Sequence, residues 1–299
     1  MNEVLIIDKP AGLTSHDVVN RVRRILQERS VGHLGTLDPL ATGVLPLVIG
    51  NLTRLAQFYT SSEKTYEGTI RFGFSTDTYD ADGDPTSPAQ AVTLSLDQVC
   101  TLASQFQGIL EQTPPPFSAK KIQGVPAYKL ARKHAEVSLK PVQVEIKEFE
   151  ISRVDIDRAS FRARVASGTY MRSIAHDMGQ LVGCGAHLEC LRRTAVGEFE
   201  LADAHTLEEL DAVFRTGQTG DLFIHPRKLL PQFPSITANQ EMAARIRTGR
   251  PVNLPELSQA RLVKVFTGQR ELVAIATRVA GTLFHARIVL ASEPTVHLL

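Results

Sequence analysis

Tryptophan is absent from the 299 residues, and aromatic residues make up only 6% of them. Any surface that stacks on a flat ligand must therefore use tyrosine, phenylalanine or histidine. Three cysteines, Cys100, Cys184 and Cys190, are too few for a disulfide framework and suit a reducing compartment. No stretch approaches the roughly 18 uninterrupted apolar residues of a membrane-spanning helix. The opening MNEVLIIDKP shows no basic leader followed by a long apolar run. The net charge of +1 excludes wholesale basicity, although a small basic patch can hide inside a neutral sum. A Gly-rich strand-to-helix fingerprint is missing, which argues against a doubly wound parallel sheet. These absences lead to the expectation of a soluble, cytoplasmic protein without a membrane span.

What is present supports a real core. The apolar fraction is 43%, and the length suits one large domain plus a small one, or two domains. Val4 to Ile7 reads as a short strand closed by Asp8-Lys9-Pro10. Thr14 or Ser15 then caps a predicted helix running to about Gln27, with Val18, Val19, Val22, Ile25 and Leu26 at helical spacing. Arg21, Arg23 and Arg24 on it suit either a solvated face or phosphate contact. Val44 to Ile49 reads as a strand, and Tyr66 to Phe74 alternates as another. Asp77 to Asp84 carries four aspartates and Gly83, but its glycine and closing glutamate are out of register for a calcium loop. A polar turn is expected there, not a metal site.

Ser95 to Phe106 is expected to be helical, with Leu96, Val99, Leu102 and Phe106 on its apolar stripe. After Pro114 to Pro116, Ser118 to Lys140 holds Lys120, Lys121, Lys129, Arg132, Lys133 and Lys140 against one acid, Glu136. Val142 to Ile146 and Phe161 to Val165 alternate as strands. Thr169 to Val182 shifts to helical spacing through Ile174, Ala175, Met178, Leu181 and Val182, placing Tyr170 and Arg172 at a helix start. Thr206 to Phe214 reads as a short helix. Past a proline-rich boundary, Pro226 to Pro234, a helix over Ile236 to Arg247 and strands at Leu262 to Phe266, Glu271 to Thr277 and Leu283 to Val289 suggest a small domain. The alternation of strands with scattered helices favours a mixed α+β architecture.

The string GHLGTLDPLATG, Gly32 to Gly43, displays one carboxylate, Asp38, on a turn-forming loop before a strand. A carboxylate can act as base, metal ligand or covalent nucleophile. No second acid stands at a fixed spacing from it, and no metal cage is evident. Cys184, His187 and Cys190 form C-x2-H-x2-C, which offers three ligands only, and independent structural roles are expected for them.

These strings together resemble the bacterial tRNA pseudouridine-55 synthase family, also called the TruB family. GHLGTLDPLATG is similar to its catalytic motif, and DKPAGLTSHDVV, Asp8 to Val19, to its opening motif. KTYEG, Lys64 to Gly68, resembles its tyrosine-bearing strand. PPPFSAKKIQGVPAYKLAR, Pro114 to Arg132, resembles its RNA-facing insertion. GTYMRSIAHDMG, Gly168 to Gly179, and HLECLRRTAVGEF, His187 to Phe199, match two further motifs in the expected order.

The resemblance implies a mixed-sheet pseudouridine synthase core over residues 1–230, with an RNA-facing insertion near 114–140. A small barrel-like, RNA-binding C-terminal domain over 236–299 would follow. It implies isomerisation of uridine at position 55 in the tRNA T-loop, with base flipping and without metal or organic cofactor. Asp38 would be the nucleophile, Tyr66 would stack on the target uracil, and Arg172 would pair with Asp38. Tyr170 would wall the pocket, Leu191 would line it, and Lys64 would support the strand. His33 would fill the space left by the flipped nucleotide. Lys120, Lys121, Lys129, Arg132, Arg192 and Arg193 are candidates for RNA-backbone contact, and Arg245, Arg247 and Arg250 for the acceptor stem. The tRNA T-arm is the expected partner; the protein is expected to be monomeric, with no obligatory protein partner. Two other readings compete: a noncatalytic tRNA-folding protein, and a carboxylate-dependent hydrolase with a water-addressing acid or metal near Asp38.

Overall fold

The computed structural model describes residues 1–133, 137–217, 222–256 and 258–290. The chain forms a mixed α+β core around a ten-stranded sheet, followed by a five-stranded sheet. Strand Val4–Lys9 starts the large sheet and is buried on both faces. Its odd positions, Leu5 and Ile7, enter one apolar cluster, and its even positions, Val4 and Ile6, enter another. Strand Thr42–Ile49 pairs antiparallel with it and divides its side chains in the same way. This is the two-faced burial that a near-continuous apolar run requires.

Across the sheet from that pair, strands Ala186–Val196, Lys64–Phe72, Arg158–Val165, Val142–Asp155 and Gly108–Gln112 follow as antiparallel neighbours. The two halves join through a short parallel pairing, Arg192 opposite Thr42 and Arg193 opposite Gly43. Gly43 makes that approach possible: its φ is +100°, and a Cβ there would lie 2.2 Å from the Arg193 carbonyl oxygen. The candidate active site sits beside this seam.

Helices Ser15–Leu26, Leu96–Ser104, Met171–Val182 and Leu207–Thr216 contribute apolar side chains to one face of the sheet. Thr14 caps the first of them: its side chain accepts from the Asp17 N–H, and the Asp17 carboxylate accepts from the Thr14 N–H. On the other face the cluster is shared with Phe266, Leu272, Ile275 and Ile288 of the C-terminal sheet. That sheet runs Ser235–Thr237, Leu262–Thr267, Glu271–Ala280, Leu283–Val289, Val252–Asn253. It is the small barrel-like unit of the expectation, with its own apolar interior. No helix among the described residues is long and apolar enough to cross a membrane.

Several element boundaries differ from the sequence reading. The strand expected over Tyr66 to Phe74 is Lys64–Phe72, because Gly73 turns the chain at φ +110°. Ile236 lies in a strand; the helix starts at Gln240, after Asn239 caps it through the Met242 N–H. Leu96 is exposed and not part of the apolar stripe, since it occupies the first turn just after the Ser95 cap. Leu181 and Val182 are exposed too, at the C-terminal end of their helix where the core no longer reaches. Glu136 and the tail from 291 onward lie outside the described residues.

Candidate active site

Asp38 sits on the loop between strands Val31–His33 and Thr42–Ile49. Leu34, Leu37 and Ala41 bury their side chains and root the loop in the core, while the Asp38 carboxylate stays 38% exposed. The loop backbone is then held by three buried polar side chains. Ser15 Oγ accepts from the Leu37 N–H at 2.8 Å and donates to the Leu37 carbonyl at 3.1 Å. Lys9 Nζ donates to the Pro10, Leu13 and Pro39 carbonyls at 2.8, 2.7 and 3.3 Å. Arg193 donates to the carbonyls of Val44, Thr36 and Gly35 at 2.8, 3.2 and 3.0 Å. The carbonyls on both sides of Asp38 are thus occupied, and the acid is presented on a braced segment.

Arg193 corrects an expectation. It is 1% exposed, and its guanidinium is spent on these carbonyls, so it is a brace for the loop and not an RNA-backbone contact. Lys9 and Ser15 belong to the same structure and were not singled out from the sequence. The signal available for them was weak: both lie in the opening motif, in a segment otherwise read only as turn and cap.

Arg172 approaches Asp38 from the start of helix Met171–Val182. Its Nε lies 2.9 Å from Asp38 Oδ2 and 3.5 Å from Asp80 Oδ2. The contact to Asp38 is an ion pair without hydrogen-bond alignment at Nε. Its other two nitrogens donate to the Thr78 carbonyl at 2.9 Å and the Phe117 carbonyl at 3.0 Å. With a side chain only 5% exposed, Arg172 is fixed by the turn at 77–84 and by the segment before Ser118. A buried cation so placed can hold two acidic side chains in fixed positions around it.

Asp80 is the acid that spacing alone did not reveal. The Asp77–Asp84 segment is a polar turn, as expected, but Asp80 points inward and is 5% exposed. Its Oδ1 accepts from Thr78 Oγ1 at 2.5 Å and from the Asp82 N–H at 3.2 Å. Burial pushes its carboxyl up, against the opposing pull of the Thr78 hydrogen bond and of Arg172. No group of three His, Cys, Asp or Glu side chains able to hold a metal ion occurs among the described residues.

Asp38 and Arg172 line a cavity of about 240 Å³ together with Tyr66, Tyr170, Leu191, Lys64, Arg193 and Ser118. Tyr66 stands opposite Arg193 and Ala163 in the two flanking strands. Tyr170 stands just before the first residue of its helix, and the Gln112 amide grips its backbone, accepting from its N–H at 2.8 Å and donating to its carbonyl at 3.1 Å. Burial and then the Asp38 charge push the Tyr170 hydroxyl up, so it keeps its proton at neutral pH. Lys64 donates to the Ser62 carbonyl at 2.6 Å; burial, then the Arg193 charge, lowers it to about 8. The wall thus combines two tyrosines and Leu191 with the cations Lys64, Arg172 and Arg193, and Asp38 is its one carboxylate among the described residues.

The remaining predicted residues lie outside this cavity. His33 is half-buried at the end of its strand, with Nδ1 buried and unpartnered, and burial lowers its pKa. Lys120, Lys121, Lys129 and Arg132 are exposed on the insertion, where Arg132 lies over the Tyr128 ring at 5.5 Å. Arg192 pairs with Asp8 at 2.7 Å and remains 38% exposed. Arg21 pairs with Glu208, and Arg247 pairs with Glu271. Cys190 is exposed, while His187 packs on Phe74 and Cys184 is buried, so the three do not converge.

Comparison with known proteins places these features in a family. The description "TruB family pseudouridylate synthase (N terminal domain)" fits residues 23–171, and "tRNA pseudouridylate synthase B C-terminal domain" fits residues 172–228. The chain is 51% identical over 294 residues to the tRNA pseudouridine synthase B of Solibacter usitatus, covering 97% of this chain and all of that one. It is 37% identical to the protein of the same name from Aquifex aeolicus, over 96% of this chain and 99% of the other. Among solved structures, a chain of an H/ACA RNP bound to a substrate RNA containing 2′-deoxyuridine superposes with a TM-score of 0.71. It covers 97% of this chain and 85% of its own, at 22% identity, which establishes likeness of fold.

Proposed function

This chain belongs to the TruB family of tRNA pseudouridine synthases, and we propose that it isomerises uridine 55 in the T-loop of tRNA with Asp38 as nucleophile. The observation that carries this is the pairing of Asp38 with Arg172 in the lining of a cavity that Tyr66, Tyr170 and Leu191 also wall. A flat base that leaves its stack needs a replacement surface, and this wall offers one. A nucleophile that attacks a carbon of the base or of the sugar needs a carboxylate fixed in place, and the braced loop with Arg172 beside it offers that.

The chemistry requires no outside reactant. Asp38 adds to a carbon of the base or of the ribose, the N1–ribose bond breaks, the ring turns while held in the cavity, C5 bonds to the ribose carbon in place of N1, and Asp38 is released. A proton then leaves C5 and the freed N1 takes one up, so the composition is unchanged; Tyr66 lies in the wall where it can assist the loss from C5. Arg172 holds Asp38 oriented, Leu191 and Tyr170 confine the ring, and Lys64 supports the strand that carries Tyr66. His33 occupies the place vacated by the flipped nucleotide. Lys120, Lys121, Lys129, Arg132 and Arg192 meet phosphates of the T-arm, with residues 114–140 as the insertion that faces it. The C-terminal sheet adds affinity along the acceptor side. The enzyme acts as a cytoplasmic monomer.

Asp80 revives the hydrolase alternative as a question, since it is a second acid near Asp38. Its side chain is only 7% exposed, with Oδ1 taken by Thr78 and the Asp82 N–H and Oδ2 facing Arg172, so it is placed to hold the arginine and not to address a water from solvent. The test is nucleotide-resolution mapping of pseudouridine in unmodified tRNA incubated with the purified protein. Pseudouridine at position 55 alone, and none when that uridine is replaced by cytidine, is the expected result. Binding of tRNA without isomerisation would favour the RNA-folding reading instead.

A further inference from the structure

One pair of rings outside the cavity joins the same helix and turn that Arg172 joins. Tyr79 and His176 stack face to face, with centroids 3.8 Å apart and planes 11° from parallel. His176 follows Arg172 by four residues on helix Met171–Val182, so both side chains project from the same face. Tyr79 lies between Thr78, whose carbonyl receives Arg172, and Asp80, whose carboxylate faces it. The helix therefore grips the turn at two points, by a cation and by an aromatic stack.

The backbone at Tyr79 is itself held in an uncommon conformation. Its φ is +66°, in the left-handed region that a bulky residue rarely adopts. The turn is also tied to a strand: the Leu188 N–H donates to the Tyr79 carbonyl at 3.0 Å, and the Ala81 N–H donates to the Leu188 carbonyl at 3.0 Å. The turn is pinned between strand Ala186–Val196 and helix Met171–Val182, and the ring stack makes the second pin. His176 Nδ1 is buried and has no hydrogen-bond partner, and burial disfavours its charged form. The imidazole serves here as a flat surface, not as a proton carrier.

We propose that the Tyr79–His176 stack is a positioning pair, which fixes the Thr78–Asp80 segment on Arg172 and through it sets the Arg172–Asp38 ion pair. The proposal rests on the reading of Asp38 as the nucleophile. Neither ring lines the cavity, so their loss should leave tRNA binding intact while disturbing the orientation of the carboxylate.

The experiment compares the full-length protein with Tyr79→Phe, Tyr79→Gly, His176→Phe and His176→Ala. Three quantities are measured: kcat and KM on unmodified tRNA, the urea midpoint, and hydrogen exchange of the Arg172 Nε–H by nitrogen-15 NMR. Tyr79→Gly suits the left-handed backbone and keeps the fold, so it separates loss of the ring from unfolding. Tyr79→Phe and His176→Phe retain a stack and should keep kcat. Tyr79→Gly and His176→Ala should lower kcat about tenfold to a hundredfold, with KM changed by less than about twofold. The Arg172 Nε–H should exchange faster in those two variants only. Full kcat and unchanged exchange in Tyr79→Gly would overturn the proposal, as would a rise in KM with kcat preserved. If the unaltered protein makes no pseudouridine, the functional reading fails, and the exchange rates still decide whether the stack holds Arg172.

Discussion

Replacing Ser15 by alanine removes one oxygen atom and creates no cavity worth the name, yet it should damage both stability and turnover. Ser15 is 2% exposed, and its hydroxyl serves both backbone groups of Leu37, the residue before Asp38. Leu37 is itself 3% exposed, so its N–H and carbonyl have no ready access to water once the hydroxyl is gone. A buried backbone group left unpaired costs about 1–3 kcal/mol. With two groups affected and some relaxation of the loop, the expected loss is about 2–4 kcal/mol. The second effect is positional. A displacement of roughly 1 Å at a reacting group lowers rate about a hundredfold, so kcat should fall by tens of times as the Asp38 segment loosens. Urea unfolding and steady-state turnover on tRNA read the two effects separately. Thr14→Ala is the control, since it removes the helix cap without touching Leu37. It should cost about 1 kcal/mol and leave kcat unchanged. If Ser15→Ala unfolds at the wild-type midpoint and turns over at the wild-type rate, the loop is not braced as described.

Further expectations follow from charge. Burial pushes the Asp177 carboxyl up to about 6 from its ordinary 3.8. The folded form then holds its proton to higher pH than the unfolded chain, so this group lowers stability progressively as pH rises from about 4 to about 6 and stays unfavourable above. Asp177→Asn should flatten that slope and raise stability at pH 7 by about 1–3 kcal/mol, read by urea unfolding at pH 5 and pH 7. Lys121 is exposed on the insertion with its side chain free of ion pairs among the described residues. Lys121→Ala should weaken tRNA binding and reduce the slope of log affinity against log salt by about 1, with kcat at saturation unchanged; filter binding across a salt series measures it.

Much of the fold was legible because period and punctuation agreed. The helix after Thr14 carries its own cap and an unbroken apolar stripe, and strands such as Phe161 to Val165 alternate strictly. Where the sequence misled, the local signal was correct but incomplete. Ile236 looked helical because the residues after it are, while its pairing with Val265 across the C-terminal sheet made it a strand. Leu181 and Val182 fit the helical period, but only tertiary contact decides where a helix stops being covered. The site divides in the same way. Asp38, Tyr66, Tyr170, Arg172, Leu191 and Lys64 come from four separate segments and meet at one cavity. Asp80 was hidden among four aspartates of one turn, since nothing in the spacing says which of them points inward. Arg193 and Arg192 are adjacent in sequence and opposite in fate, because side chains of a strand alternate between faces. One meets Asp8 at the surface and the other braces the loop from within.

The nucleophile assignment is tested most directly by Asp38→Asn, which preserves shape and removes the charge that pairs with Arg172. Single-turnover formation of pseudouridine is measured with enzyme in excess over unmodified tRNA, beside the Kd of the same variant. The expected result is a rate reduced by at least about 10⁴-fold, with Kd within about threefold of the unaltered protein. A variant that binds tRNA and still forms pseudouridine at more than about a tenth of the normal rate would contradict the assignment of Asp38 as the nucleophile.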